Sequence, residues 1–155
     1  MQIINIHNAK SFLNEEVRIN GWVYNSRRSG KIGFLSIRDG YSILQCIVEK
    51  SVIGDDLFNS FKTLTQESSI TVYGKIVSNE RAIGGYELLL NNLEIHQLTS
   101  EYPITPKEHG PDFLMKHRHL WLRSKRQHAI LKVRHEIIKS IRNFFDNNDI
   151  TLVDT

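Results

Sequence analysis

A chain of 155 residues, 40% hydrophobic and 24% charged, has apolar surface for one ordinary core, and for a second only where two units share a boundary. A formal net charge of +3 is too small for bulk electrostatics to identify a polyanionic partner. Apolar runs of a few residues, such as Leu88-Leu89-Leu90, exclude a membrane-spanning helix, and the one cysteine, Cys46, excludes a disulfide framework and a cysteine-built zinc site.

The segment Met1–His7 has neither a basic n-region nor a small-residue cleavage site, so secretion is unsupported and the cytoplasm is the expected compartment. Val17, Ile19, Gly21 and Val23 alternate in a first strand that also carries Trp22 and Tyr24. Ser26–Lys31 reads as a glycine-serine turn holding a basic knot of Arg27, Arg28 and Lys31. Ile32–Arg38 is a second strand, with Phe34 on the face opposite Leu35 and Ile37. Asp39-Gly40 predicts a tight primed hairpin turn with positive φ at the glycine, leading into a third strand, Ile43–Val48.

The period then changes: Leu57, Phe58, Phe61 and Leu64 recur at helical spacing after Gly54-Asp55-Asp56, which predicts one short helix. Ile70–Val77 and Tyr86–Leu98 return to β composition across a polar loop containing Gly84-Gly85. Three strands, a helix and two more strands is the order of the OB-fold, a mainly β, five-stranded, partly open barrel whose face commonly binds oligonucleotides. An SH3-like barrel or a generic α+β domain fits the same periodicity.

All three prolines fall within Thr99–Pro111, which predicts a linker or wrapped arm. Ser124-Lys125-Arg126-Gln127 is a capping-box candidate for a long amphipathic helix over about residues 124–147. Ile130, Val133, Ile137, Ile141 and Phe144 form its apolar stripe, widened by Leu131, Ile138 and Phe145. Asn147-Asn148-Asp149 ends it, and Ile150–Val153 begins a strand. A helix with so broad an apolar face, followed by a strand begun just before the last residue, predicts the opening of a second domain. From Lys116 to Arg142 the basic side chains stand against a single acid, Glu136, a distribution that suits either a solvated helix face or an anionic partner. The expected organisation is residues 1–98 as one domain, 99–123 as a hinge and 124–155 as the start of another.

Catalytic chemistry is not legible. His117-Arg118-His119 holds two histidines with a cation between them and no nearby cysteine, so no metal site is expected. Asp55-Asp56, Asp146 and Asp149 suit helix ends, and Cys46 suits a buried strand position. No glycine-rich phosphate loop and no Ser/His/Asp arrangement is visible. Nucleic-acid recognition fits better: Phe34 can stack on an unpaired base, Gln45 and Glu87 can read base edges, and Arg27 can meet a phosphate or a base. The alternative is that Phe34 is core, Gln45 marks an exposed edge, and Glu87 and Arg27 are merely solvated.

Val17–Val23, Arg27-Arg28, Gly30-Lys31, Phe34, Arg38-Asp39-Gly40 and Gln45 together resemble the anticodon-binding OB domain of the class IIb aminoacyl-tRNA synthetases for aspartate, asparagine and lysine. Tyr102-Pro103-Ile104, His109-Gly110-Pro111, Phe113-Leu114 and Arg118–Ser124 resemble the hinge of the asparaginyl-tRNA synthetases, where aspartyl enzymes carry an aspartate in place of Trp121. Arg134–Phe145 and the segment ending Val153-Asp154-Thr155 are similar to class II motif 1, the dimer-forming element.

The resemblance implies that Phe34 stacks on an anticodon base, the middle uridine, that Gln45 and Glu87 read bases, and that Arg27 contacts the anticodon loop of tRNA(Asn). It implies a homodimer through the stripe of Ile130, Val133, Ile137, Ile141 and Phe144. ATP and magnesium would serve the whole asparagine–tRNA ligase, with motifs 2 and 3 beyond Thr155, so these residues alone are expected to bind tRNA, to hold no cofactor and to be inactive in aminoacylation. An aspartyl-type class IIb synthetase or a free-standing OB-fold RNA-binding protein are the alternatives, and no membrane partner is expected.

Overall fold

Alternation of apolar with polar or small residues builds the core. Val17, Ile19 and Val23 of β2 (Glu16–Ser29), Leu35 and Ile37 of β3 (Ile32–Arg38), and Leu44, Cys46 and Val48 of β4 (Ile43–Glu49) all point inward and are buried. Ile70, Val72 and Ile76 of β5 (Ser69–Ser78) join them, as do Leu88, Leu90 and Leu93 of β6 (Tyr86–Gln97). The computed structural model describes residues 1–153 and falls into two compact units, Met1–Tyr102 and the part from Pro103 onward.

With a short strand β1 (Gln2–Ile3) at one edge, the strand order is β1-β2-β3-β4-β6-β5, with β2 also paired to β5. The long β2 serves two neighbours: Glu16–Trp22 runs antiparallel to β5, and Trp22–Ser29 runs antiparallel to β3, with a bulge between Val23 and Asn25 where the strand changes partner. The strands thus follow one another around a ring, but its parallel β4–β6 joint holds only two residue pairs, Cys46↔Leu88 and Ile47↔Leu89. The expected five-stranded barrel is corrected on this point: the structure is an OB-fold-like sheet whose joint is too short to make a barrel wall. A sixth strand, β1 (Gln2–Ile3), runs parallel to β2 and was not anticipated.

The predicted short helix is α1 (Lys50–Lys62), broken at Gly54, whose φ of 79° and ψ of 174° are not helical. Phe58 and Phe61 on its inner side are buried in the core, and a Cβ on Gly33 would stand 2.4 Å from the Phe61 ring, so β3 requires glycine there.

Two turns differ from expectation. β2 continues as strand through Arg27 and Arg28, and the chain reverses only at Gly30, with φ 60°. At Asp39-Gly40 the glycine does not take positive φ. Instead the Asp39 carboxylate organises the hairpin: Oδ1 accepts from the amides of Tyr41 (2.7 Å) and Ser42 (2.8 Å), while Oδ2 accepts from the amide of Ile6 (2.7 Å).

In the second unit the expected linker is partly helical, with α2 (Pro111–Lys116) and α3 (Arg118–Trp121). Pro111 suits the first helical position, where a missing N–H costs nothing. The long helix α4 (Lys125–Asp146) starts where the spacing puts it: Ser124 Oγ accepts from the Gln127 amide at 3.4 Å. The reciprocal arm of the capping box is replaced, because the Ser124 amide donates to Trp121 O at 2.9 Å. Ile130 (49% exposed), Val133 (60%), Ile137 (54%), Ile141 (52%) and Phe144 (62%) are open along the helix. Asp149 (φ 58°) turns the chain so that the Ile150 amide reaches Phe145 O at 3.0 Å. The expected strand from Ile150 is corrected: Ile150–Val153 is irregular, since a strand needs a neighbour and none pairs with it among the described residues. The rest of that expected strand, Asp154 and Thr155, lies outside the described residues.

Candidate nucleic-acid interface

The core takes every second residue of β3, β4 and β6, so the residues between them share the opposite face. Register places them side by side: Arg27 opposite Phe34, Phe34 opposite Ile47, Ser36 opposite Gln45, and Ile47 opposite Leu89. Phe34, Gln45 and Glu87 are half-buried and Arg27 is exposed. Phe34 is therefore not core, contrary to the alternative placement.

The four predicted residues meet as two pairs. The Arg27 guanidinium lies over the Phe34 ring, 4.6 Å from its centroid. Gln45 Nε2 donates to Glu87 Oε2 at 3.3 Å across the β4–β6 joint. That bond engages one of the two amide hydrogens and fixes which end of the amide faces Glu87. Gln45 Oε1 and the second hydrogen remain, an acceptor beside a donor. Such a pair complements the N3–H and a flanking carbonyl of uracil.

Sequence reasoning missed the ground on which these groups stand. Ser36, Ile47 and Leu89 follow Phe34, Gln45 and Glu87 at intervals of two, and Lys75 stands opposite Leu89. Alternation alone marks the first three, whereas Lys75 needs the β5–β6 register. Leu89, 40% exposed, supplies apolar surface beside the polar readers. Arg38 shares the face by alternation yet is committed elsewhere: its Nη2 bonds Glu67 Oε2 at 2.6 Å, with side chains 15% and 7% exposed. Beneath the face Cys46 is fully enclosed; burial, with a smaller contribution from the Glu87 charge, pushes its thiol far above the usual range, so it stays a neutral packing group.

Two other titratable groups singled out above have structural partners. Asp55 pairs with Lys50 at 3.0 Å. His117 Nδ1 lies 3.0 Å from Phe113 O, with its ring against Phe113. Among the described residues no group of three or more His, Cys, Asp or Glu could hold a metal ion, and no helix is long and apolar enough to cross a membrane.

Comparison with known proteins adds independent information. Residues 17–95 match the family of OB-fold nucleic acid binding domains, and residues 110–155 match the tRNA synthetases of class II (D, K and N). An asparagine–tRNA ligase of Sorangium cellulosum (strain So ce56) is 49% identical over 153 residues, which are 98% of this chain and 34% of that protein. The crystal structure of asparaginyl-tRNA synthetase from Pyrococcus horikoshii complexed with asparaginyl-adenylate superposes with a TM-score of 0.87 at 36% identity, covering 94% of this chain and 34% of that one. A putative aspartyl-tRNA synthetase from Leishmania major Friedlin shares the fold, with a TM-score of 0.87 at 17% identity over 99% of this chain and 34% of that one. The chain thus spans about a third of the length of these relatives.

Proposed function

The chain belongs to the OB-fold nucleic acid binding domains that serve tRNA anticodon recognition, continuing into the class II synthetases of the D, K and N group, and on that premise we propose that it reads the anticodon of tRNA(Asn) for an asparagine–tRNA ligase. The observation that carries the reading is the pairing of Arg27 with Phe34 and of Gln45 with Glu87 on one open sheet face.

In the free chain the guanidinium of Arg27 covers the Phe34 ring. An exposed cation–π contact contributes about 0.5–1 kcal/mol, whereas a base stacked on an aromatic contributes roughly 1–3 kcal/mol. Exchange is therefore favourable: the middle base of the anticodon takes the ring, and Arg27 moves to a neighbouring phosphate. Gln45, its amide set by Glu87, offers the acceptor and donor that a uracil edge matches. Glu87 keeps one oxygen for the amino group of an adjacent base.

The second unit is read as the start of the ligase's catalytic domain, residues 124–155, after a hinge over 99–123, with Ile130, Val133, Ile137, Ile141 and Phe144 as a homodimer interface. The cytoplasm is the matching compartment. ATP and magnesium serve such a ligase as a whole. The 155 residues, about a third of such a ligase's length, are expected not to form asparaginyl-adenylate by themselves, which pyrophosphate exchange with ATP and asparagine checks; exchange above background would refute that part.

The test of recognition is titration of the chain with a labelled anticodon stem-loop carrying GUU. Phe34→Ala weakens binding by roughly 1–3 kcal/mol whatever the neighbouring bases. Gln45→Ala and Glu87→Ala chiefly reduce discrimination between anticodons, and Arg27→Ala lowers the salt dependence. Unchanged affinity in a folded Phe34→Ala variant would overturn the assignment.

A further inference from the structure

The polar side of α4 carries an order that anticodon reading does not use. Lys125, His128, Lys132, His135, Lys139 and Arg142 succeed one another at alternating intervals of three and four residues. On a helix of 3.6 residues per turn this spacing sets all six along one ridge, on the side away from Ile130, Val133, Ile137, Ile141 and Phe144. At 1.5 Å per residue the ridge is about 25 Å long. Every one of its side chains is exposed.

Two acids border it: Glu136 on one flank and Asp146 beyond Arg142. Among the described residues neither is ion-paired with a ridge cation, although Glu136 lies four residues after Lys132 and three before Lys139. The first turn of the helix has no acid and starts with Lys125 and Arg126. Positive charge there opposes the helix dipole, so helix stability alone does not account for the charge pattern.

We propose that this ridge binds the phosphate backbone of RNA, as a contact separate from the base-reading face of the sheet. Successive ridge positions lie about 5–6 Å apart, and the whole row spans the axial rise of about seven base pairs at 3.4 Å each. Ammonium, guanidinium and imidazole N–H groups all donate to phosphate oxygens. The row holds no Phe, Tyr or Trp and is made of side chains that donate to phosphate oxygens, so its contacts position RNA and do not read sequence. This inference stands independently of the anticodon assignment.

The experiment titrates the full chain with two labelled RNA stem-loops, one with a GUU loop and one with that loop scrambled, between about 50 and 200 mM salt. Lys132→Ala/Lys139→Ala keeps a good helix former at both positions, and circular dichroism checks that the helix is retained. Loss of two phosphate contacts lowers the slope of log affinity against log salt by about 1.4–1.8. The expected result is that drop, with affinity at low salt reduced about tenfold or more and to the same extent for both loops. Lys132→Arg/Lys139→Arg restores the wild-type slope.

Wild-type slope and affinity in the alanine pair would overturn the proposal, as would an arginine pair as weak as the alanine pair, or a wild-type chain that binds neither RNA. So would displacement of the RNA by poly-glutamate at equal charge, which would assign the ridge to an acidic protein segment. Gln45→Ala serves as the control: it lowers loop preference and leaves the slope intact, so failure of the sheet-face reading is distinguishable from failure of this one.

Discussion

At the scale of single residues, two glycines separate what backbone freedom does from what close packing does. A Cβ on Gly74 would fall 2.1 Å from Leu89 O and 2.7 Å from Leu88 Cδ2, where β5 presses against β6. Backbone cannot move aside cheaply, so Gly74→Ala is expected to cost about 1–3 kcal/mol in denaturant unfolding. Gly40 has nothing within 4 Å of its would-be Cβ and does not take positive φ. Gly40→Ala is therefore expected to be within about 0.5 kcal/mol of wild type. A large loss at Gly40 would mean that the hairpin uses the primed turn suggested by Asp-Gly after all. The dipeptide signals a turn here, but the carboxylate of Asp39 supplies the means.

At the scale of elements, Asp39 ties the β3–β4 hairpin to the N-terminal segment. One carboxylate serves three amides, those of Ile6, Tyr41 and Ser42, while the Tyr86 hydroxyl donates to Ile6 O at 3.1 Å from the other side. Hydrogen bonds to a charged acceptor contribute about 1.5–3 kcal/mol where solvent is excluded and less near the surface, so Asp39→Ala is expected to lose about 1–3 kcal/mol. Asp39→Asn should fall between, since its amide nitrogen meets the Ile6 N–H donor to donor. Hydrogen exchange should quicken at Ile6, Tyr41 and Ser42; unchanged protection at all three would count against the clamp. This linkage shows what local sequence conveys and what it does not. Period-two alternation places β3, β4 and β5 within about a residue of their observed bounds, and it alone sets Phe34 and Gln45 on the face opposite the core. The Ile6–Asp39 bond, the two-residue β1 and the short β4–β6 joint depend on partners distant in the chain, and no local period reports them. The same holds in the candidate site, where Gln45 and Glu87 are 42 positions apart: alternation orients each, and only register brings them together. Arg27 differs for the converse reason: Ser26–Lys31 has turn composition, yet pairing with β3 holds Arg27 and Arg28 in strand.

At the scale of the whole molecule, the two units differ in how completely they bury what they carry. In Met1–Tyr102, Phe61, Ile6, Leu35 and Leu88 are at most 1% exposed. From Pro103 onward no described residue is buried, and Ile150 and Leu152, 51% and 62% exposed, add to the open stripe of α4. Folded monomers seldom leave an apolar surface of that extent facing water. Side chains about half exposed each release roughly half of the 1.5–3 kcal/mol that full burial supplies, enough for several together to offset the entropy lost when two copies associate. A twofold arrangement would cover the same face on both copies at once. We therefore expect the chain to sediment as a dimer or larger species. Ile137→Asp/Ile141→Asp places two carboxylates in the middle of the stripe, so it should shift the chain to monomer. Unfolding of the sheet unit, followed by the fluorescence of Trp22 in a Trp121→Phe background, should stay unchanged, because neither position belongs to that core. A wild-type chain that remains monomeric at high concentration would show that the stripe is not a self-association surface in these 155 residues. A double variant that still dimerises would place the contact elsewhere, leaving Ile130, Val133, Ile137, Ile141 and Phe144 without the role assigned to them.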